Sequence, residues 1–178
     1  FNKIHYSIPT GATTKGISMR SMGCPWIMQK ESMTGGIFKK KTYGPLFQDT
    51  LESLGYDVSG DPGRMFDEIE DMQRTTYAIG AKVIDVKMDM CNEKSIWFDY
   101  DKGIIGETMI EIEWSVYDLL RRTSVYKTTT KGYAKQPIPN DKGDEIMLEQ
   151  AFVKAAHNLG ADEELSLIHI SEPTRQAS

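Results

Sequence analysis

Residues 109–116, MIEIEWSV, alternate between two sets of side chains, one wholly apolar and the other mostly polar. A period of two is that of a β-strand, in which successive side chains point to opposite faces of the sheet. The pattern therefore predicts a strand with one face in a core and the other in water. The apolar set consists of Ile110, Ile112, Trp114 and Val116.

The chain that follows predicts a partner for this strand. Residues 118–124, DLLRRTS, are expected to turn the chain, and residues 125–133, VYKTTTKGY, are rich in β-branched and aromatic side chains. We therefore predict an antiparallel hairpin. Residues 76–90 favour another long strand for the same reason, and shorter strands are expected at residues 3–8 and 56–58.

The first of two predicted helices lies in GPLFQDTLESLG, residues 44–55. Pro45 suits the first helical turn, and Gly55 is a natural residue to terminate the helix. The apolar side chains between them recur at helical spacing and would form one stripe. They are Phe47, Leu51 and Leu54.

The second predicted helix lies in DEIMLEQAFVKAAHNLGAD, residues 144–162, where apolar residues again recur at helical spacing. Asp144 is the predicted N-cap, and Gly160 is predicted to close the helix. The resulting order, β–α–β–β–β–β–α, predicts one α+β domain over residues 1–164. Its two main helices are expected on one face of a largely antiparallel sheet.

Charge and motifs argue against several classes of function. The net charge is −5 and the basic cluster at residues 39–41 is small, so no nucleic-acid partner is expected. No apolar run approaches the about 20 residues that a membrane-spanning helix needs. Glycine-rich phosphate loops and paired Cys/His spacings are both missing from the sequence, so neither a cofactor nor a metal is expected.

The closely spaced Glu111 and Glu113 raise the question of an acid–base pair. On a strand they would share a face about 6.5 Å apart, which is compatible with paired catalytic carboxylates. Nothing nearby would desolvate them, so we interpret them as the hydrated side of the strand. Neither His5 nor His157 has a context that supplies Cys24 with a base. We predict no catalytic residue.

An aromatic group, Trp97, Phe98 and Tyr100, lies between polar residues and is a candidate contact loop. Folding back over the sheet edge is the alternative. The only cysteines are Cys24 and Cys91, which would form one disulfide if the protein resides outside the cytosol. In the chain-entropy model, closing so long a loop contributes about 4 kcal/mol.

Residues 165–178 are expected to be a non-native or disordered tail. The helical period stops after Asp162, and SLIHISEPTR, residues 166–175, resembles a translated sequencing adapter that ends unrelated protein sequences. The natural coding sequence would then continue differently, as in a metagenomic fragment. A genuine flexible terminus is the alternative. His169 lies in this tail and enters no site.

Residues 1–164 contain, in order, IPTGATTKGI, Cys24, LFQDTLESLGYDVSGDP, Phe66, AKVIDVKMDMC, IEIEWSVYDLLRRTSVYKTTTKGY and AFVKAAHNLGADE. Together these segments resemble the non-catalytic region that precedes a trypsin-like peptidase domain in certain bacterial secreted or envelope proteins. The layout is also similar to small periplasmic domains of the curli-channel and Tol-system kind, by analogy only.

The resemblance implies a non-catalytic accessory or interaction domain of an exported protein, periplasmic or extracellular. The catalytic triad would lie in the downstream peptidase domain, and the partner would be that domain or an envelope protein. Because the family has a cysteine at both positions, the resemblance also implies that Cys24 pairs with Cys91. The loop after Cys91 departs from the family pattern. The alternatives are a stand-alone envelope lipoprotein or assembly factor, and a fragment of a hydrolase active site.

Overall fold

The computed structural model describes residues 17–21, 43–58, 77–94 and 101–170 of the protein. Within these residues the order is β–α–β–β–β–α–α, whereas the sequence predicted β–α–β–β–β–β–α. The elements are β1 (Ile17–Ser21), α1 (Gly44–Ser53), β2 (Tyr77–Lys94), β3 (Asp101–Asp118), β4 (Thr123–Asn140), α2 (Gly143–Gly160) and α3 (Glu163–Ile170).

The described strands form one sheet in the order β1-β2-β3-β4. Strands β2, β3 and β4 are antiparallel neighbours of 18 residues each, whereas the short β1 runs parallel to β2. The predicted hairpin is confirmed, since Trp114 of β3 pairs in register with Thr128 of β4 across the turn. The α+β class and the largely antiparallel sheet are confirmed as well.

Helices α1 and α2 pack on one face of the sheet, as predicted. The predicted apolar face of β3 is buried beneath them. Trp114 is fully buried and stacks on Phe47 of α1, with ring centroids 5.3 Å apart, and it lies 6.1 Å from the ring of Phe152 in α2. The hydrophobic core is therefore a single layer between the helices and the sheet.

A β-bulge interrupts the alternation of β2. Val83 pairs with Ile112 and Asp85 pairs with Glu111, so Ile84 is the extra residue between them. The bulge resets which side chains face the helices. Val83 and Val86 are consequently both buried, although they are three positions apart, while Ile84 is 46% exposed.

Helix α1 ends as predicted, at Gly55 with φ of 87°. The N–H of Gly55 donates to Glu52 O and that of Tyr56 donates to Leu51 O, which is the Schellman pattern. The strand predicted at residues 56–58 is wrong. The Tyr56 hydroxyl instead donates to Gly160 O at 2.8 Å and Val58 is buried, so this segment packs against the end of α2.

The prediction that Asp144 caps α2 is wrong. The helix begins at Gly143, and Lys142 occupies the N-cap position without a side-chain hydrogen bond. The turn before it is held by Asn140, whose Oδ1 accepts from Lys142 N at 2.9 Å. A Cβ on Gly143 would collide with Ile104 O, so the close approach of β3 requires glycine at the helix start.

The sequence from Asn92 to Gly106, with its aromatic group between polar residues and Gly103, predicts a long hairpin connection, and the predicted connection is too long. Pairing of β2 with β3 extends to Glu93–Gly103 and Lys94–Asp101, leaving residues 95–100 as the connection. The candidate contact residues Trp97, Phe98 and Tyr100 lie outside the described residues, as do Cys24, His5 and the strand predicted at 3–8. Their roles remain predictions.

The sequence predicted no element after Asp162, but the structure has helix α3 over Glu163–Ile170. The helix begins beyond Asp162, whose Oδ1 accepts from Glu164 N at 3.0 Å, and Leu165 is buried in the core. The structure therefore has a helix that the sequence did not predict, and the non-native or disordered character of residues 165–178 stays a prediction. The domain limit at residue 164 and the adapter origin of the tail remain predictions.

Candidate interaction surface

The face of the sheet opposite α1 and α2, here called the open face, is lined mainly by charged side chains. They follow from the register of β2, β3 and β4 and from the alternation of burial along each strand. The charged members are Lys82, Asp85, Lys87, Asp89, Glu107, Glu111, Glu113, Lys127, Lys131 and Lys135. Five are acidic and five are basic, so the formal charge of these ten residues is 5 − 5 = 0.

On the open face, Glu107 and Glu111 of β3 lie opposite lysines of β4 but opposite Asp89 and Asp85 of β2. Lys131 Nζ lies 3.7 Å from Glu111 Oε2, and Lys82 is in register with Glu113. The Tyr133 hydroxyl donates to Glu107 Oε2 at 2.8 Å. That hydrogen bond raises the pKa of Tyr133 above its ordinary value, because ionising the phenol would break the bond and place two negative charges together.

The structure places Glu111 and Glu113 on the open face, half-buried, and the side chain of Glu111 is 26% exposed beside its lysine partner. His157 is exposed on α2, which packs against the opposite face of the sheet. The two carboxylates and this imidazole are therefore not brought together. Within the described residues, no group of three or more His, Cys, Asp or Glu side chains is arranged to hold a metal ion.

Trp114 belongs to the core, and its polar atom is satisfied there. Its Nε1 donates to Thr130 Oγ1 at 2.7 Å, and the same hydroxyl donates to Ala155 O of α2 at 2.8 Å. The side chain is fully buried. It is therefore a structural link between β3, β4 and α2 rather than an exposed platform for a ligand.

Cys91 is buried near the end of β2 and is disulfide-bonded. It pairs in register with Arg20 of the parallel strand β1. Cys24 follows Arg20 by only four positions in the sequence, which agrees with the predicted partner. Because Cys24 lies outside the described residues, the pairing of Cys24 with Cys91 stays a prediction.

The turn between β3 and β4 presents a surface that sequence reasoning treated only as a turn. We call residues 117–122 the hairpin tip. Leu120 is 78% exposed and Tyr117 is 39% exposed, while the side chain of Arg121 is 79% exposed. The sequence LLRR indicated this exposed surface, since adjacent leucines and arginines are unusual for a turn that only reverses the chain.

No protein-family model matches the chain, and no curated protein matches it at a significant level. Three solved structures are similar in part. A provisionally named lipoprotein of Caulobacter crescentus CB15 has 14% identity and a TM-score of 0.41, over 71% of this chain and 81% of that one. A minor lipoprotein of Acinetobacter baumannii has 9% identity and a TM-score of 0.30, over 90% of this chain and 97% of that one.

The third is a Xanthomonas campestris protein of family DUF330, with 13% identity and a TM-score of 0.28, over 55% of this chain and 48% of that one. At these TM-scores the likenesses establish neither a shared fold nor a shared activity. Among the described helices, none combines the length and the hydropathy needed to cross a bilayer.

Proposed function

We propose that this chain is a non-catalytic interaction domain of an exported bacterial envelope protein. The observation that carries the proposal is the disulfide-bonded Cys91, because disulfides form and persist mainly in oxidising compartments. Its position next to the end of β1 would fasten the short parallel strand to the long antiparallel meander.

The open face supports the interaction part of the proposal. Acids of β3 lie opposite lysines of β4 across the sheet, and ordered charges of both signs favour specific partners over tight non-specific binding. Ile84, which the bulge leaves 46% exposed, and Tyr133, 53% exposed, add apolar area to this surface. Such a mixed surface is the kind that non-obligate protein interfaces use.

Two finer versions of the proposal differ in what surrounds the domain. In the first, suggested by the sequence resemblance, it precedes a trypsin-like peptidase domain and positions or regulates it. In the second it is a stand-alone envelope lipoprotein or assembly factor; two of the partly similar structures are called lipoproteins. The uninterrupted reading frame decides between them, because only the first requires a peptidase domain downstream.

The disulfide provides the direct test of the compartment. Full chain exported to a bacterial periplasm is expected to contain no free thiol, and non-reducing peptide mass spectrometry should show Cys24 linked to Cys91. Cys91→Ser should lower the free energy of unfolding by about 2–4 kcal/mol, since the denatured chain regains loop entropy. Cys24→Ser is the matched control and should cost the same amount. Two free thiols in the exported protein would refute the proposed compartment.

The hydrolase alternative makes a different prediction about Glu111. In a non-catalytic domain, the full chain gives no turnover of peptide or ester substrates, and Glu111→Gln changes the free energy of unfolding by less than about 1 kcal/mol, as for a surface ion pair. Glu113→Gln on the same face is the control. Turnover that is reproducible and abolished by Glu111→Gln alone would establish the hydrolase and overturn the proposal.

A further inference from the structure

We propose that the hairpin tip is a contact site for anionic lipid, with Leu120 entering the headgroup layer and the flanking arginines binding phosphate groups. This inference goes beyond the interaction domain proposed above. It requires no particular partner on the open face, and either finer version of that proposal is compatible with it. It rests on the exposure, the charges and the hydrogen bonds of residues 117–122.

The tip places an exposed apolar side chain directly before two exposed cationic ones, a combination that suits an anionic membrane surface. Leu120 is the most exposed large apolar side chain of the described residues, at 78%. Arg121 and Arg122 follow it directly, and both are exposed. Arginine can lay its stem along an apolar surface while its guanidinium binds a phosphate in two-pronged fashion. Tyr117, at 39% exposure, is a residue type enriched at membrane–water boundaries.

Two backbone N–H groups of the tip are hydrogen-bonded within the tip itself. Asp118 Oδ1 accepts from Leu120 N at 2.9 Å and from Arg121 N at 2.8 Å. Unsatisfied N–H groups would make entry into a low-dielectric layer costly, and here these two donors are occupied internally. The same bonds fix the turn in one shape, so little conformational entropy is lost when it binds.

The one acid within the tip is withdrawn from its surface. Asp118 is buried, at 4% exposure, and its Oδ2 lies 3.6 Å from Arg121 Nε. An anionic surface would therefore meet the arginines before this carboxylate. The whole chain has a net charge of −5, so attraction has to come from a local group of charges of this kind rather than from the overall field.

Among the described residues, two further acids near this end of the sheet lie on its helix side. Asp162 and Glu164 are beside Tyr126 of β4. Tyr126 follows Arg122 by four residues, which is about 13 Å along an extended strand. Exposed charges are largely screened beyond about 8–10 Å at physiological ionic strength. At that spacing along the strand, the two acids beside Tyr126 are expected to offset the positive charge of the tip only in part.

The size of the tip favours lipid over a protein partner. A stable protein interface buries about 800 Å² on each partner, and a four-residue turn presents only a fraction of that area. A membrane contact needs only a few side chains, because each buried apolar group and each arginine near anionic headgroups adds its own increment. The hairpin tip, which extends beyond the last pairing of β2 with β3 at Tyr77–Asp118, therefore fits a fluid surface better than a protein docking site.

The test measures flotation of the full disulfide-bonded chain with vesicles of an equimolar mixture of phosphatidylcholine and phosphatidylglycerol. Binding is expected there and not to phosphatidylcholine alone. Leu120→Ser should weaken binding about tenfold and Arg122→Gln about fivefold. Ile138→Ser is the matched control, since Ile138 is 70% exposed at the other end of β4 and should leave binding unchanged.

Leu120→Trp should bind more tightly than the parent chain, a gain that a misfolded variant would not produce. The proposal is overturned if the parent chain does not float with the anionic vesicles, or if Leu120→Ser and Ile138→Ser behave alike. It is also overturned if a photo-reactive residue at position 120 links only to an envelope protein in cells, which would make the tip a protein contact. None of these outcomes changes the interpretation of the Cys91 disulfide test, so the two proposals can fail independently.

Discussion

Trp114→Ala is expected to lower the free energy of unfolding by about 4–5 kcal/mol, the upper part of the range for buried aromatic truncations. The indole is fully buried between the sheet and both main helices. Its stacking on Phe47, at a centroid distance of 5.3 Å, and its edge contact with Phe152 are both lost. Neither helix can close the gap without leaving the sheet, so most of the cavity remains.

Loss of the indole hydrogen bond contributes to the cost of Trp114→Ala. A second variant measures that contribution apart from the loss of packing. Trp114→Phe keeps most of the apolar volume but removes the donor to Thr130 Oγ1. The Thr130 hydroxyl still donates to Ala155 O, so no buried group of α2 is orphaned. We therefore expect Trp114→Phe to cost about 1–2 kcal/mol, measured like Trp114→Ala by urea unfolding followed with far-UV circular dichroism.

Tyr117→Ala is the matched control for both variants, because it removes an aromatic side chain from the same strand at a site that is 39% exposed. It should change the free energy of unfolding by less than about 1 kcal/mol. Equal effects of Trp114→Ala and Tyr117→Ala would contradict the burial of β3 beneath the helices. They would also undermine the assignment of Glu111 and Glu113 to the hydrated side.

What the sequence predicted well depends on contacts that are close along the chain. The alternation of residues 109–116 identified the buried face of β3, since a half-buried strand needs only its own side chains to show the pattern. The end of α1 at Gly55 was predicted for a similar reason. Its Schellman hydrogen bonds join Gly55 to Glu52 and Tyr56 to Leu51, all within six residues.

What the sequence did not predict depends on distant contacts. Helix α2 ends at Gly160 as predicted, but the packing of Gly160 against leucines near the end of α1 was not predicted. A Cβ there would lie 2.5 Å from Leu54 Cδ1, and no local pattern reports that approach. The strand expected at residues 56–58 failed for the same reason, because Tyr56 is held by Gly160 O.

The candidate surfaces also combine features that the local sequence predicted with features that depend on distant contacts. The wet side of β3 followed from alternation alone, but the exposure of Ile84 did not, since a bulge becomes visible only through pairing with Glu111 and Ile112. At the hairpin tip, the turn was predicted while the burial of Asp118 was not. A carboxylate in a turn is normally solvated, and its two backbone donors appear only in the folded geometry.

Gly132→Val is expected to lower the free energy of unfolding by more than about 4 kcal/mol, in the range reserved for direct disruption of packing. A Cβ on Gly132 would overlap Ala151 O and lie 2.8 Å from Ala155 N, so the obstacle is the backbone of α2 rather than a movable side chain. Relief would require α2 to move away from β4.

Such a movement of α2 would break the bond from Thr130 Oγ1 to Ala155 O and that from Asn158 Nδ2 to Lys131 O. Gly80→Ala is the control, because a Cβ there meets nothing nearer than Ser115 O at 3.9 Å. Replacing this strand glycine should be neutral or stabilise by up to about 1 kcal/mol. Urea unfolding compares Gly132→Val, Gly132→Ala and Gly80→Ala. If Gly132→Ala cost no more than Gly80→Ala, α2 could not lie directly on β4, and the layer that buries Trp114 would be wrongly placed.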